Sequence, residues 1–459
     1  MDRIHFVGIG GYSMSGLAQV FKAQGRHVTG SDLRPSSRTD RLVALGIPVH
    51  WEHRAENLGE ADTVVYSTDV PEENPELAAA RARGLTVLHR SELLAMLVDE
   101  GDGIAITGTH GKTTTTSMIG WMLQVAGTDP TVLVGGEVDA LGGNARRGSG
   151  RLVVAEADES DGSFLRYHPR VAVITNVEPE HLEHYGGSFA AVQKAVERFA
   201  CQVKPAGLVV LCAEDPFLAE LARRLPARVV TYGFEHGDLR ARAIEPRAGG
   251  GNRFQVVGVG PGAMGMKLLI PGRHNVLNAL AALAVGRELG VRPQVMRRAL
   301  LTFRNAHRRF EFYPSPPGTW VVDDYAHHPT EIRAVLAAAK ELRARRIIAV
   351  FQPQRYTRTA ALLAEFAAAF AGADRVLLAD IYSPPGERPI AGVSSQVLAE
   401  RIRAANGPEV ACPGALEAIA AELVATVRPG DLVITMGAGD VFTVARALSE
   451  QLVTAALGS

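Results

Sequence analysis

A glycine-rich stretch that ends in a lysine and two threonines has the clearest chemical potential in this sequence. It lies between an apolar run at 103–107 and a helical pattern at 114–125, and it consists of Gly108, Thr109, His110, Gly111, Lys112, Thr113 and Thr114. Glycines let backbone N–H groups turn towards phosphate oxygens, and the start of a helix adds positive potential. In such loops the lysine reaches the β- and γ-phosphates and the next hydroxyl holds magnesium, roles that would fall to Lys112 and Thr113. The stretch predicts a site for ATP with Mg²⁺.

This loop departs from the usual phosphate-binding pattern, which places four residues between its first glycine and the Gly-Lys pair. Ile106 stands where that first glycine belongs, and Gly108 leaves only two residues before Gly111. An ordinary glycine turn is the alternative interpretation. The apolar strand before the loop and the helix after it favour nucleotide binding.

Acidic and polar residues follow two further predicted strands, at 152–155 and 171–176. Glu156 opens a run with four carboxylates at 156–161, and His181 follows the second strand. Open parallel sheets build their sites at the carboxyl ends of strands, so we expect these groups beside the phosphate loop. Magnesium prefers oxygen ligands, which favours Thr113 and Glu156. The alternatives are a solvated acidic turn and, for His181, a hydrogen-bonding loop histidine.

A second glycine-rich turn stands near the start of the chain. A short strand predicted at 3–7 runs into Gly10 and Gly11, and Asp32 comes directly after a second predicted strand. In dinucleotide-binding folds an acid at this place binds a ribose hydroxyl, so this part alone indicates a dehydrogenase. Tight packing of the helix on the strand is the structural alternative.

Three further groups of residues stand at element ends in the second half. Asn275 and Asn278 share a face of a helix predicted after Gly272, with helix capping as the alternative. Arg355 and Arg358 suit a carboxylate or phosphate, with surface salt bridges as the alternative. Zinc at 327–328 is disfavoured, because adjacent histidines point apart and ligand spacing is missing nearby.

Length and charge limit the possible classes of protein. The 459 residues fit three α/β domains, predicted at 1–100, 101–306 and 307–459, since strand and helix patterns alternate throughout. Lys and Arg number 48 against 49 Asp and Glu, so no positive field favours nucleic acid or anionic membrane. The sequence shows neither a signal segment nor an apolar run of spanning length. We therefore expect a cytoplasmic protein without membrane insertion that acts on small molecules.

Taken together, these stretches resemble the Mur ligases. The resemblance runs nearly end to end, and it rests on motifs in the same order at 5–16, 108–116, 156–164, 176–186, 272–278, 308–310, 323–330 and 355–359. The shorter loop Gly-Thr-x-Gly-Lys-Thr is this family's own form. The resemblance also changes the meaning of the first glycine turn, which in this family accepts the diphosphate of a UDP-linked sugar.

The resemblance implies an ATP-dependent ligase of peptidoglycan precursor synthesis. It would join L-alanine to the lactyl carboxylate of UDP-N-acetylmuramate through an acyl phosphate, with release of ADP and phosphate. The implied fold has a Rossmann-like UDP-binding domain, a central phosphate-loop ATPase domain and a Rossmann-like domain that binds the amino acid. We expect a monomer or a homodimer.

Residue roles also follow from the resemblance. Lys112 would stabilise the transferring phosphate, Thr113 and Glu156 would hold one magnesium ion, and His181 would help to hold a second. The nucleotide site would be completed by Asn275, Asn278, Arg309 and Asp324. The L-alanine pocket would be lined by Tyr325, His327, Arg355 and Arg358. The UDP part would be bound by Gly10, Gly11, Ser15 and Asp32.

One departure and three rival functions stay open. Gln354 stands where members acting on L-alanine usually have histidine, and a neutral amide does not titrate. The nearest rival joins a preformed tripeptide to the same sugar nucleotide during wall recycling. An oxidoreductase is disfavoured, because the phosphate loop indicates ATP binding. Lys112, Glu156 and His181 speak against a non-catalytic nucleotide-regulated binding protein.

Overall fold

The architecture is built on three sheets. The computed structural model describes residues 1–247, 249–383 and 387–457. The strands in these ranges form sheets of five, ten and six strands. Helices follow most strands along the chain, and this alternation confirms the predicted α/β fold class.

The first sheet is wholly parallel and carries the first glycine turn. Its strands are β1 (Arg3–Val7), β2 (His27–Ser31), β3 (Val49–His50), β4 (Thr63–Tyr66) and β5 (Thr86–His89). Their order is β3-β2-β1-β4-β5. The accompanying helices are α1 (Tyr12–Ala23), α2 (Ser37–Ala44), α3 (Pro75–Ala82) and α4 (Arg90–Glu100). Ile4, Phe6 and Val7 of β1 are buried, as in a parallel strand that is covered on both faces.

The second sheet carries the phosphate loop near its centre. Its strands are β6 (Asp102–Thr107), β7 (Thr131–Val138), β8 (Gly143–Arg146), β9 (Leu152–Glu156), β10 (Val171–Ile174), β11 (Leu208–Cys212), β12 (Arg228–Gly233), β13 (Leu239–Pro246), β14 (Asn252–Val257) and β15 (Ala263–Leu268). Their order is β15-β14-β13-β12-β11-β10-β6-β9-β7-β8. β6 pairs in parallel with β10 and with β9, so the ends of these three strands meet at one edge.

The helices of this part follow strands β6, β10, β11 and β15 along the chain. They are α5 (Lys112–Val125), α6 (Phe189–Cys201), α7 (Pro216–Arg224), α8 (Arg273–Glu288) and α9 (Pro293–Thr302). α7 begins with Pro216 after Asp215, whose side chain accepts from Leu218 N, a cap that sets the start of this helix. The segment 279–285 of α8 is fully buried.

The third sheet is parallel except at one edge. Its strands are β16 (Glu311–Tyr313), β17 (Trp320–Asp324), β18 (Arg346–Phe351), β19 (Arg375–Ala379), β20 (Glu409–Gly414) and β21 (Asp431–Met436). Their order is β16-β17-β21-β18-β19-β20, and β16 is antiparallel to β17. Its helices are α10 (Pro329–Glu341), α11 (Tyr356–Ala361), α12 (Leu363–Ala369), α13 (Ser395–Ala404), α14 (Leu416–Thr426) and α15 (Phe442–Leu457). Two apolar clusters, one including Phe351 and one including Ile348, form its core.

Contacts group the chain into two compact units. The first comprises Met1–Ala243, Phe254–Lys267 and Val276–Arg304, and the second comprises Ile244–Arg253, Leu268–Asn275 and Asn305–Ser459. The first sheet and the phosphate loop therefore belong to the same unit. The domain boundaries near 100 and 306 stay predictions. Within the described ranges, none of the helices combines the length and the apolar character needed to cross a bilayer.

Candidate active site

The phosphate loop joins the end of β6 to the start of α5, as the sequence predicts. Gly108 has φ +123° and Gly111 has φ +83°, conformations that side chains with a Cβ atom rarely adopt. A Cβ atom at Gly108 would lie 2.2 Å from Thr175 Oγ1, and one at Gly111 would lie 2.7 Å from Asn278 Oδ1. Both conformation and space therefore require glycine at these two positions.

The segment after β10 holds the loop from one side. Asn176 Oδ1 accepts a hydrogen bond from His110 N at 2.8 Å, and its Nδ2 donates to His110 O at 3.0 Å. Thr109 Oγ1 accepts from Glu178 N at 2.8 Å. His110 Nε2 lies 3.5 Å from Glu178 Oε2. These side chains fix the loop conformation, and in the sequence position 176 was only the end of a predicted strand and the start of a family motif.

Lys112 points back across its own loop to a buried carboxylate. Its Nζ donates to Gly108 O at 2.7 Å, to Thr109 O at 3.2 Å and to Glu159 Oε1 at 2.9 Å. Burial alone would lower the pKa of Lys112, but Glu159, Asp158 and Glu156 raise it above its ordinary value. The ammonium therefore stays charged at physiological pH, as binding to phosphate requires.

Glu159 is a functional candidate that the sequence did not separate from its neighbours. It is 5% exposed, and its Oε2 accepts from Thr107 Oγ1 at 3.4 Å. Burial raises the pKa of this carboxyl despite the nearby lysine. The acidic run is therefore not a solvated turn at Glu159. In the sequence, Glu159 was only one of four carboxylates in this run, and nothing distinguished it from the others.

Thr113 and Glu156 form a donor set that fits Mg²⁺. Thr113 Oγ1 lies 3.2 Å from Glu156 Oε1 and 3.1 Å from Oε2, and Gly135 N donates to Oε2 at 2.9 Å. A hydroxyl and a carboxylate are the oxygen ligands this ion prefers. His181 adopts φ +56°, and its Nδ1 lies 3.9 Å from Glu183 Oε1. Its part in a second magnesium site stays a prediction.

The other residues predicted to bind ATP contact backbone or neighbouring side chains. Thr114 is buried in the first turn of α5. Asn278 Oδ1 accepts from Thr115 Oγ1 at 3.2 Å, which places Asn278 against the start of α5. Asn275 Nδ2 donates to Pro271 O at 2.7 Å. Contact of either asparagine with adenine stays a prediction.

The first glycine turn is held closed by Asp32. Its Oδ2 accepts from Gly10 N at 2.8 Å, and its Oδ1 accepts from Leu33 N at 2.8 Å. A Cβ atom at Gly10 would lie 2.8 Å from Asp32 Oδ2, so the carboxylate packs directly on this glycine. Here Asp32 supports the turn, and its contact with a ribose stays a prediction.

Two further side chains complete the surroundings of this turn. Ser15, after Gly11 in α1, is buried, and its hydroxyl donates to Tyr12 O at 3.1 Å and accepts from Asn144 Nδ2 at 2.9 Å. Arg38 Nε donates to Gly10 O at 2.6 Å, and its guanidinium lies 4.1 Å from the centre of the Tyr12 ring. Arg38 adds positive charge beside the turn, and no local sequence pattern pointed to it.

The carboxyl edge of the third sheet brings Arg309, Tyr325 and His327 together. The Arg309 guanidinium lies 5.3 Å from the Tyr325 ring centre, and the His327 ring stands edge-on at 5.3 Å from the same ring. His327 Nδ1 lies 2.9 Å from Tyr325 O. The neighbouring arginine, Arg308, donates to Asp323, Gly437 and Gly439 and so serves the protein's own structure.

Asp324 is a buried carboxylate at the end of β17. It accepts from Phe310 N at 2.8 Å and from Ala326 N at 2.7 Å. Burial raises the pKa of Asp324 to about 7, although Arg309 and these two N–H groups act in the opposite direction. A carboxyl that titrates near neutral pH at a strand end is a functional-site candidate.

Gln354 and Arg355 directly precede α11, and Arg358 lies within it. Arg358 Nη1 donates to Gln354 Oε1 at 2.6 Å, so the amide oxygen orients this guanidinium. Arg355 has φ +67°, and its N–H donates to Tyr382 O at 2.8 Å. His328 receives a hydrogen bond from Thr330 N and caps α10 together with Glu331, which gives it a structural role.

Comparison with known proteins places these residues in a family. The catalytic-domain model of the Mur ligase family matches residues 3–101, the Mur ligase middle-domain model matches 106–286, and the Mur ligase glutamate ligase domain model matches 308–439. The UDP-N-acetylmuramate–L-alanine ligase of Symbiobacterium thermophilum is 55% identical over 457 residues, covering 98% of this chain and 94% of that protein. The enzyme of the same name from Pelotomaculum thermopropionicum is 45% identical, covering 98% of both chains.

Solved structures agree with the sequence comparison. The crystal structure of UDP-N-acetylmuramate-alanine ligase from Thermotoga maritima superposes with a TM-score of 0.84 at 33% identity, covering 99% of each chain. A murein peptide ligase from Psychrobacter arcticus shares the fold, with a TM-score of 0.70 at 24% identity over 98% of this chain and 99% of that one. Three family models in chain order and relatives of nearly full length establish that this chain belongs to the Mur ligase family.

Proposed function

We propose that this protein is the ATP-dependent ligase that joins L-alanine to the lactyl carboxylate of UDP-N-acetylmuramate in peptidoglycan precursor synthesis. The observation that carries the proposal is 55% identity over 457 residues to a UDP-N-acetylmuramate–L-alanine ligase. The arrangement of Lys112, Thr113, Glu156 and Glu159 at the phosphate loop supports it. ATP and a sugar nucleotide are intracellular metabolites, so we place the reaction in the cytoplasm, carried out by a monomer or a homodimer.

The chemistry requires activation of a poor acyl donor. An oxygen of the lactyl carboxylate attacks the γ-phosphorus of ATP, and the bond from that phosphorus to the oxygen of ADP breaks. The amine of L-alanine then attacks the acyl carbonyl carbon and loses a proton, and the tetrahedral intermediate expels inorganic phosphate. Because the reacting carboxylate and ATP are both anions, positioning and charge neutralisation supply most of the acceleration.

Lys112 is the cation that the phosphate loop offers to the transferring phosphoryl group. Its ammonium lies over the carbonyl oxygens of Gly108 and Thr109, directly inside the loop. Thr113 and Glu156 would hold a magnesium ion, which would neutralise phosphate charge when bound. His181 would support a second ion. Asn275, Asn278, Arg309 and Asp324 are the proposed partners of the rest of the nucleotide.

The third sheet is the proposed place for L-alanine. The guanidinium groups of Arg355 and Arg358 suit the carboxylate of the amino acid, and Gln354 orients Arg358 through an amide oxygen that accepts at every pH. Tyr325 and His327 are the proposed walls of the pocket. The first glycine turn, with Gly10, Gly11, Ser15 and Asp32, is the proposed site of the UDP diphosphate and ribose, and Arg38 adds charge there.

The deciding experiment measures ADP release by the purified protein with ATP, magnesium and UDP-N-acetylmuramate. Three reactions are compared, with L-alanine, with a tripeptide that begins with L-alanine, and without an acceptor. We expect release that depends on L-alanine and a product heavier by one alanyl residue in mass spectrometry. Preference for the tripeptide would assign the protein to wall recycling, and release that needs no sugar nucleotide would refute both ligase assignments.

A further inference from the structure

Arg90 contacts the acidic turn at residues 156–161, at the end of β9 of the second sheet, although Arg90 itself lies next to the first sheet. It is the first residue of α4, directly after β5. Its Nη2 lies 3.5 Å from Asp161 Oδ2 and 3.8 Å from Asp158 Oδ2. The Arg90 side chain is only 16% exposed and that of Asp161 only 14%, so solvent screens this pair weakly.

Thr68 binds the same carboxylate oxygen, and His89 in turn contacts Thr68. Thr68 Oγ1 donates to Asp161 Oδ2 at 3.1 Å, and His89 Nε2 lies 3.1 Å from the Thr68 hydroxyl. The other oxygen, Asp161 Oδ1, accepts from Ser163 N at 2.9 Å. Residues that follow β4 and β5 therefore bind one oxygen of the carboxylate, Oδ2, and the turn itself binds the other, Oδ1.

Asp161 belongs to the same tight turn as the carboxylate that holds Lys112. Glu159 precedes it by two residues and accepts from Lys112 Nζ at 2.9 Å. Gly162 N donates to Glu159 O at 3.1 Å, and the Tyr185 hydroxyl donates to the same carbonyl. A turn closed by its own hydrogen bonds shifts as one piece, so a displacement of Asp161 displaces Glu159.

We infer that Arg90, together with Thr68, is a positioning residue for Lys112, acting through Asp161 and Glu159. The ends of β4 and β5 set the place of the acidic turn, and the turn sets the place of the lysine ammonium at the transferring phosphate. The inference deepens the proposed function and rests on it for the identity of the reaction. It makes the sheet proposed for the sugar nucleotide a determinant of the geometry of the ATP site.

The first test is Arg90→Ala in the full chain, with steady-state kinetics and calorimetric titration of a non-hydrolysable ATP analogue. We expect kcat to fall by about tenfold to hundredfold, because small misplacements of a catalytic group have effects of this size. The affinity for the analogue should fall several-fold, the KM for L-alanine should stay unchanged, and Arg90→Lys should restore part of kcat.

A matched control separates this effect from a general loosening of the same contact region. Arg166 Nη1 pairs with Glu92 Oε1 at 2.6 Å and so joins α4 to the segment just after the acidic turn. Arg166→Ala should keep kcat within about twofold of the unmodified protein. An equal loss in both arginine variants would overturn the inference.

A double-mutant cycle with Asp161→Asn tests the route of the effect. If Arg90 acts through Asp161, the variant with both changes loses no more activity than the more damaging single change. Losses that multiply would overturn the inference, as would a rise confined to the KM for UDP-N-acetylmuramate. If Arg90→Ala does not fold, Thr68→Val removes one hydrogen bond to Asp161 at similar volume and should lower kcat several-fold.

The outcome is distinct from that of the proposed function. Failure of the unmodified protein to add L-alanine would refute the ligase assignment alone. Titration of the ATP analogue would still decide the inference, because equal affinities of the unmodified protein and Arg90→Ala would overturn it whatever reaction the protein catalyses.

Discussion

Lys112 and Glu159 form a buried ion pair that keeps the lysine ammonium charged. The ammonium is buried with a carboxylate at 2.9 Å, and the surrounding acids raise its pKa despite burial. A buried lysine without such a partner would lose its proton more readily. Glu159 therefore keeps Lys112 charged in the absence of nucleotide, and bound phosphate would then compete for the same ammonium.

Replacing this lysine by an uncharged side chain of similar length tests its role. Lys112→Met should lower kcat by at least about a thousandfold, because a preorganised charge at the transferring phosphate is lost. The measurement is L-alanine-dependent ADP release under saturating substrates. Lys340→Met, on the exposed side of α10, is the control for loss of one positive charge and should keep full activity. Activity of Lys112→Met above a tenth of normal would contradict the role.

Asp324 makes a prediction about stability and pH. Its folded pKa of about 7 exceeds its ordinary value of 3.8, so between these values the folded state binds more protons than the unfolded state. Its contribution therefore makes the protein less stable as the pH rises through this window. The unmodified protein should lose this stability between pH 5 and pH 8, whereas Asp324→Asn should not. The free energy of unfolding of the variant minus that of the unmodified protein should therefore rise by about 2 kcal/mol over this range. Urea unfolding at both pH values measures this, and a constant difference would contradict it.

At the scale of elements, a buried carboxylate ties the strands of the first sheet to their covering helix. Glu76 of α3 accepts from Ser31 of β2 at 2.6 Å and from Asn57 at 2.7 Å, and its Oε1 lies 3.4 Å from His5 Nε2 of β1. Burial would raise the pKa of Glu76, but these hydrogen bonds lower it to about 2. The network fixes the strands from which the first glycine turn and Asp32 extend.

The network predicts acid sensitivity of this part of the fold. Because the folded pKa of Glu76 is depressed, its contribution to stability is fully present above the unfolded value of 4.5 and is lost as the pH falls towards about 2. Glu76→Gln should lower the free energy of unfolding by about 2–3 kcal/mol at pH 7 and by less at pH 3.

Hydrogen exchange resolves this effect locally. Exchange in β1 and β2, followed by mass spectrometry of the full chain, should accelerate in Glu76→Gln at pH 7, while exchange in the third sheet stays unchanged. Equal acceleration in all three sheets would show that the network does not act locally.

At the scale of the whole molecule, the predicted substrates are distributed over three sheets. The glycine turn proposed to bind UDP follows β1, and the phosphate loop follows β6. The residues predicted to bind L-alanine follow β17 and β18. Each group lies at the carboxyl end of a parallel strand, where N–H groups and side chains converge. Kinetic effects of changes in the third sheet should therefore be separable from those in the other two sheets.

Arg358 tests this separation. Arg358→Ala should raise the KM for L-alanine by about a hundredfold, because a charge-assisted contact with the carboxylate is lost, and it should leave the affinity for the ATP analogue unchanged. Arg333→Ala is the matched control, because Arg333 lies in α10, which follows β17 of the same sheet. It should leave the KM for L-alanine and the affinity for the ATP analogue unchanged. A loss of ATP affinity in Arg358→Ala would contradict the assignment of this arginine to the amino acid.

Local patterns in the sequence were sufficient to predict the α/β class, the bounds of the strand before the first glycine turn, and the phosphate loop between a strand and a helix. Strand and helix periodicity and the conformational freedom of Gly108 and Gly111 are properties of short segments, so the chain itself specifies them. The order of motifs predicted the family, which the comparisons confirm.

Only the tertiary structure decided which side chains meet. Glu159 rather than another acid of its run holds Lys112, 47 residues away, and Arg90 reaches Asp161 across 71 residues. Asp32 closes on Gly10, 22 residues away. The direction of each side chain in a tight turn changes with every residue, and the approach of distant segments depends on how complete sheets and helices pack, so no local pattern determines these contacts.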